Sequence, residues 1–160
     1  MKWLVTTSMV KMENYSNNIK LEATAEKVFI ALTHEIAAWW TEMFEGAANV
    51  QGETFTVRFG DKVFKTMKVS ELVKNAKVVW EVEQSLIEIP ELKNQSEWVG
   101  TTIIWEIKQV DRTATLHLEH VGLNKGVECY DICSAGWQQF IDSLKSYLET
   151  GKGNPFKNMS

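Results

Sequence analysis

The sequence predicts an α+β fold in which a curved antiparallel sheet wraps around one long C-terminal helix, with two short helices after the first strand. Three observations carry this expectation. From Phe55 to His120 apolar residues recur at every second position in runs broken by short turns, the pattern of strands with one buried face. From about Glu128 the period changes to 3.6 and persists to Leu148. Ahead of the strands, two brief helical patterns follow one extended segment. Strands joined by short turns form an antiparallel sheet, and its apolar face has to be covered. The C-terminal helix is the only element large enough to cover it.

The elements follow in order. Asn18 to Ala23 reads as the first strand. Thr24 is placed to cap a helix from Ala25 to about Leu32, with Glu26 favoured in its first turn and Val28, Phe29 and Leu32 on its apolar face. A second short helix reads from His34 to Trp40, its apolar side made by Ile36, Trp39 and Trp40. Phe55, Val57 and Phe59 then alternate with Thr54, Thr56 and Arg58. After the Gly60-Asp61 turn, Val63, Met67 and Val69 share a face that Lys65 interrupts. Asn75 marks the next turn, and Val78, Trp80 and Val82 alternate with Val79, Glu81 and Glu83. Pro90 to Ser96 reads as a loop. Ile103, Trp105 and Ile107 share one face, Asp111-Arg112 turns the chain, and Leu116, Leu118 and His120 form the last inward row before Gly122. In the final helix Cys129, Tyr130, Cys133, Trp137, Phe140, Ile141, Leu144 and Leu148 make one stripe. Gly151 suits a left-handed cap there, and Pro155 stops the helix from resuming.

The 160 residues are read as one domain, 1–160, with 1–14 open to being an extension and Met9 or Met12 alternative starts. A net charge of −4 argues against a nucleic-acid partner, which needs a basic face to neutralise phosphates. No segment approaches the roughly 18 apolar residues of a membrane span. Thr6, Thr7 and Ser8 break the N-terminal apolar stretch before a signal peptide is complete, so a cytoplasmic location is expected. Cys129 and Cys133, four apart on one helical face, read as reduced core thiols rather than a disulfide or metal pair. No cofactor or metal is expected, and no nucleophile elbow, phosphate-binding glycine loop or metalloprotease helix is found.

Candidate ligand-binding residues come from the inward faces. His120 shares a face with Leu116 and Leu118, where an imidazole needs a hydrogen-bond partner and its pKa is easily moved. A core histidine bonded to a neighbouring element is the favoured reading; a group that orients a ligand comes second, and an acid or base third. Trp80, Trp105, Trp137, Phe55 and Phe59 fall on inward faces, where large rings either fill a core or line an apolar pocket. Trp39 and Trp40 join them, with the expectation that one short helix cannot turn both rings inward, so at least one lies at a cavity mouth or on the surface. Glu97, Glu106 and Glu119 suit acid–base work only if buried, and a solvated face is the favoured reading. No catalytic residue is assigned.

Several motifs together resemble a known family. They are ATAEKVFIALT followed by Trp39-Trp40, Gly52 to Phe55, EWVGT at Glu97 to Thr101, TATLHLEHVGL at Thr113 to Leu123, Gly136-Trp137, and the GKGNP exit. From about Ile19 to Pro155 the chain is similar to homologues of the activator of the heat-shock protein 90 ATPase, a branch of the START-like (SRPBCC) superfamily. The resemblance implies the helix-grip fold and a cavity between sheet and long helix, which in the wider superfamily holds lipids or other apolar molecules. Three functions follow as expectations. The first is non-catalytic binding of a small apolar or aromatic molecule, a lipid among them, in the setting of stress. The second is a cavity enzyme of the cyclase or isomerase kind using His120. The third is a module that interacts with a chaperone or another protein.

Overall fold

The computed structural model describes residues 13–158. The strands are β1 (Tyr15–Leu21), β2 (Phe44–Gly46), β3 (Thr54–Arg58), β4 (Val63–Val73), β5 (Lys77–Ile87), β6 (Thr102–Val110) and β7 (Thr113–Val121). The helices are α1 (Ala25–Thr33), α2 (Ile36–Trp39) and α3 (Tyr130–Thr150). The strands form one curved sheet in the order β1-β7-β6-β5-β4-β3-β2, with every pairing antiparallel. Helix α1 packs against β5, β6 and β7, and α2 against α3, which also contacts β1. The α+β expectation holds. Of the 1–14 extension, residues 1–12 lie outside the described region, as do the alternative starts and the N-terminal apolar stretch; Asn14 bonds Glu119 and the Gly122 N–H.

Local chemistry explains the boundaries. Thr24 Oγ1 accepts from the Lys27 N–H and starts α1 as expected. Gly151, at φ 84°, ends α3 with its N–H bonded to Tyr147 O. Asn75 and Asp111 take the left-handed conformation that their hairpins need. The first strand begins at Tyr15 rather than Asn18, because the whole run Tyr15–Leu21 pairs with β7. Strand β2, three residues paired to β3, is an addition that alternation was too short to show. The second helix is a single turn, Ile36–Trp39.

The core is aromatic. Trp39, Trp40, Trp80, Trp98, Trp105 and Trp137 are all buried in one cluster. The expectation that Trp39 and Trp40 cannot both face inward is corrected: Trp39 is 0% and Trp40 2% exposed, stacked with ring centroids 5.5 Å apart. Two features allow it. The helix ends at Trp39, and Trp40, its C-cap, stacks its ring on that of Trp80 at 5.7 Å. The tail after α3 then returns over α2, with Phe156 N–H donating to Trp40 O at 2.9 Å and Glu42 N–H to Phe156 O at 3.0 Å. The pair is thus covered by chain that the sequence offers only as a helix exit.

That return path is tight at Gly153, where an added Cβ would lie 2.5 Å from Ala38 O. Gly153→Val should lift the tail and lower stability by about 1–3 kcal/mol, as overpacking does. Urea unfolding monitored by circular dichroism checks it.

Candidate ligand cavity

A cavity of about 270 Å³ lies between α3 and the β4–β5 part of the sheet. Its rings are Trp40, Phe59, Trp98, Trp137, Phe140 and Phe156, and Val63, Ile87 and Ile89 add branched walls. Ile132, 44% exposed, stands at the rim. Helix α3 contributes Gly136 to the wall, and a Cβ built there would meet nothing within 4 Å. Glycine inside a helix costs roughly 0.5–1 kcal/mol relative to alanine, and no steric contact requires it here. Its effect is to leave space.

Among the described residues, Lys65 is the only charged side chain on the wall. It sits in mid-strand on β4, opposite Val57 of β3 and Ser85 of β5, so strand parity turns it to the buried side with Met67 and Val69. The residue is 8% exposed, with Nζ 4.4 Å from the Trp98 ring centroid and 5.0 Å from that of Phe59. None of the three ion pairs among the described residues involves it. Cation–π contacts are worth about 0.5–2 kcal/mol each, less than burying an unpaired ammonium costs. Burial accordingly pushes the Lys65 pKa down to about 8, opposed weakly by Cys133 and Cys129.

His120 lies behind the wall rather than on it. The Trp137 Nε1–H donates to His120 Nδ1 at 3.0 Å, and an indole can only donate, so Nδ1 carries no proton. Nε2 then holds the ring's hydrogen and donates to Thr101 Oγ1 at 2.8 Å, whose own hydroxyl donates to Trp98 O at 2.6 Å. Burial, with Lys65 repelling a second positive charge, lowers the His120 pKa to about 3. The imidazole is neutral, fully bonded, and fixes two wall rings, Trp137 and the Trp98 segment.

Of the residues singled out in the sequence, Trp40, Phe59 and Trp137 border the cavity. Trp39, Phe55, Trp80, Trp105 and His120 are packed behind it, all at most 1% exposed. The Trp80 and Trp105 indole N–H groups find no partner among the described residues, and the two rings meet edge to face at 5.6 Å. Alternation places all these residues inward but cannot separate core from wall. Lys65 and Trp98 were missed as wall residues. For Lys65 the signal was present: it shares parity with Val63, Met67 and Val69. Trp98 sits in irregular chain, where parity says nothing.

The remaining polar candidates serve the architecture. Glu97 caps α3, accepting the Glu128 and Cys129 N–H groups at 2.9 Å each. Glu128 returns the contact by accepting from Lys93 and Asn94, bonds to Asn94 first and Lys93 second that hold its pKa below the usual range. Glu106 is exposed and Glu119 bonds Asn14. Cys129 and Cys133 are free and buried. Cys133 Sγ accepts the Trp98 indole N–H at 3.2 Å, and its neighbours Cys129 and Trp98 hold its thiol pKa down while that of Cys129 is pushed up.

The model of the family described as activator of Hsp90 ATPase homolog 1-like protein matches residues 22–149. The chain belongs to this family. The solution structure of the Aha1 dimer from Colwellia psychrerythraea is 30% identical, with a TM-score of 0.73, over 89% of this chain and 100% of that one. DynU16, a putative protein of the dynemicin biosynthetic locus, is 20% identical with a TM-score of 0.66, over 89% of this chain and 49% of that one. CalU16 from Micromonospora echinospora is 14% identical with a TM-score of 0.60, over 85% and 76%. The latter two show the shared fold. No curated protein sequence matches the chain. Within the described residues, no helix is long and apolar enough to cross a membrane.

Two outcomes follow from the buried bases. Lys65 is harder to protonate in the folded chain, so its cost is full below pH 8 and fades as pH rises from about 8 towards its ordinary 10.5. Lys65→Met should therefore stabilise the unliganded protein by roughly 1–3 kcal/mol at pH 7, with the gain shrinking by pH 9.5 in denaturant titrations. For His120, the unfolded chain binds a proton between pH 6.5 and about 3 that the fold refuses, so this group makes stability fall as pH drops through that window. Imidazole nitrogen NMR should show the Nε2–H tautomer at pH 7 and no titration before acid unfolding.

Proposed function

We propose that this member of the family binds a small apolar or aromatic molecule, without chemistry, in the cavity between the sheet and α3. The observation that supports it most is Gly136, which holds space open in a helix whose other inward positions are filled. A volume of about 270 Å³ is just under the roughly 300 Å³ at which drug-sized pockets begin, which suits one or two rings or a short acyl chain. The two reduced, buried thiols accord with a cytoplasmic setting. A role in stress, and an interaction with a chaperone as the second reading, draw support from the family's name alone. Acid–base chemistry at His120 draws none from the geometry, because both ring nitrogens are engaged.

The test combines a plugged cavity with a ligand screen. A ligand bound only by the native state raises its stability by about 2.7 kcal/mol at a hundred times its dissociation constant. A diverse panel of apolar compounds should give thermal shifts with the parent chain and none with Gly136→Leu, which itself should fold at least as stably. Absence of any shift with the parent, and of any co-purified molecule in native mass spectrometry, would favour the protein-interaction reading.

A further inference from the structure

We propose that the ligand of this cavity carries an acidic head, a carboxylate or an equivalent small anion, that pairs with Lys65. The inference rests on the binding reading above and sharpens it to a class: amphipathic organic acids. Lys65 is placed by backbone register, not by a flexible loop, so its inward position is a property of the sheet. Its ammonium group has aromatic faces beside it but no carboxylate partner among the described residues. A leucine or methionine would fill the same position with no charge to desolvate.

Among the described residues, the surroundings supply further hydrogen-bond donors and no competing carboxylate. Ser85, directly across from Lys65 on β5 and pointing to the same face, is 7% exposed, and its Oγ has no partner among the described residues. Cys133 is the other ionisable side chain on the wall, and its Sγ already accepts from Trp98. The rest of the lining is rings and branched aliphatic groups, with Gln139 the remaining polar side chain. A carboxylate seated at Lys65 would accept charge-assisted hydrogen bonds in a water-poor site while its apolar body lies along those walls. Anion and cation would each relieve the other's desolvation.

Isothermal titration with two matched pairs tests this: 1-naphthoate against 1-naphthylmethanol, and decanoate against 1-decanol, with the parent chain, Lys65→Met and Ser85→Ala. The first pair represents aromatic acids and the second fatty acids, so the stronger pair identifies the ligand body. The acid of at least one pair should bind the parent on the order of thirtyfold tighter than its alcohol, as expected for a hydrogen bond to a charged group. Lys65→Met should abolish that preference while leaving alcohol binding intact, and Ser85→Ala should reduce it. Equal binding of acid and alcohol by the parent, or a preference that survives in Lys65→Met, overturns the assignment while leaving apolar binding in place. If neither acids nor alcohols bind the parent, the acid assignment falls together with its premise for these ligand bodies.

Discussion

Two indole hydrogen bonds run in opposite directions across the join between sheet and helix. Trp137 of α3 donates to His120 of β7, and Trp98, from the segment between β5 and β6, donates to Cys133 of α3. The two rings stack on each other at 5.8 Å. Each bond satisfies a polar group that burial would otherwise penalise by about 1–3 kcal/mol, and each has a directional requirement that oily contact lacks. Together they fix how far α3 stands from the strands. The cavity exists because that spacing is fixed while Gly136 contributes no side chain to fill it.

The polar groups around this join divide into those that bond within the chain and those that do not, Lys65 and Ser85 on the strands among the latter. His120, Thr101, Glu97 and Cys133 all complete hydrogen bonds within the chain. Lys65 alone among the wall residues brings a charge without a partner, at a cost to a fold whose total stability is typically only 5–15 kcal/mol. Structural necessity does not explain it, since it has no ion-pair partner among the described residues and its neighbours Trp98 and Phe59 are rings that an apolar side chain would also pack against. Sites of this kind are where perturbed pKa values and function coincide.

Much of the architecture was legible because it rests on short-range rules. Thr24, Gly151, Asn75 and Asp111 announced their caps and turns, and alternation marked the inner rows of β3 to β7. What escaped was set by contacts distant in sequence. The pairing of β1 begins in a polar stretch, YSNN, whose register is dictated by β7. The burial of both Trp39 and Trp40 depends on a tail more than a hundred residues later. The same division holds in the cavity. The inward residues were identifiable, but whether a ring becomes wall or core depends on the gap left by a helix on the other side. In the sequence Lys65 interrupts an apolar face, and its position on that face is the informative fact.

The return of Phe156 across α2 has a practical corollary. This ring belongs to the cavity wall, yet it is carried by the irregular segment after α3 and held there by backbone bonds to Trp40 and Glu42. Whatever loosens that segment therefore also loosens one panel of the binding space. Binding assays on variants of that segment would then report the tether along with the pocket.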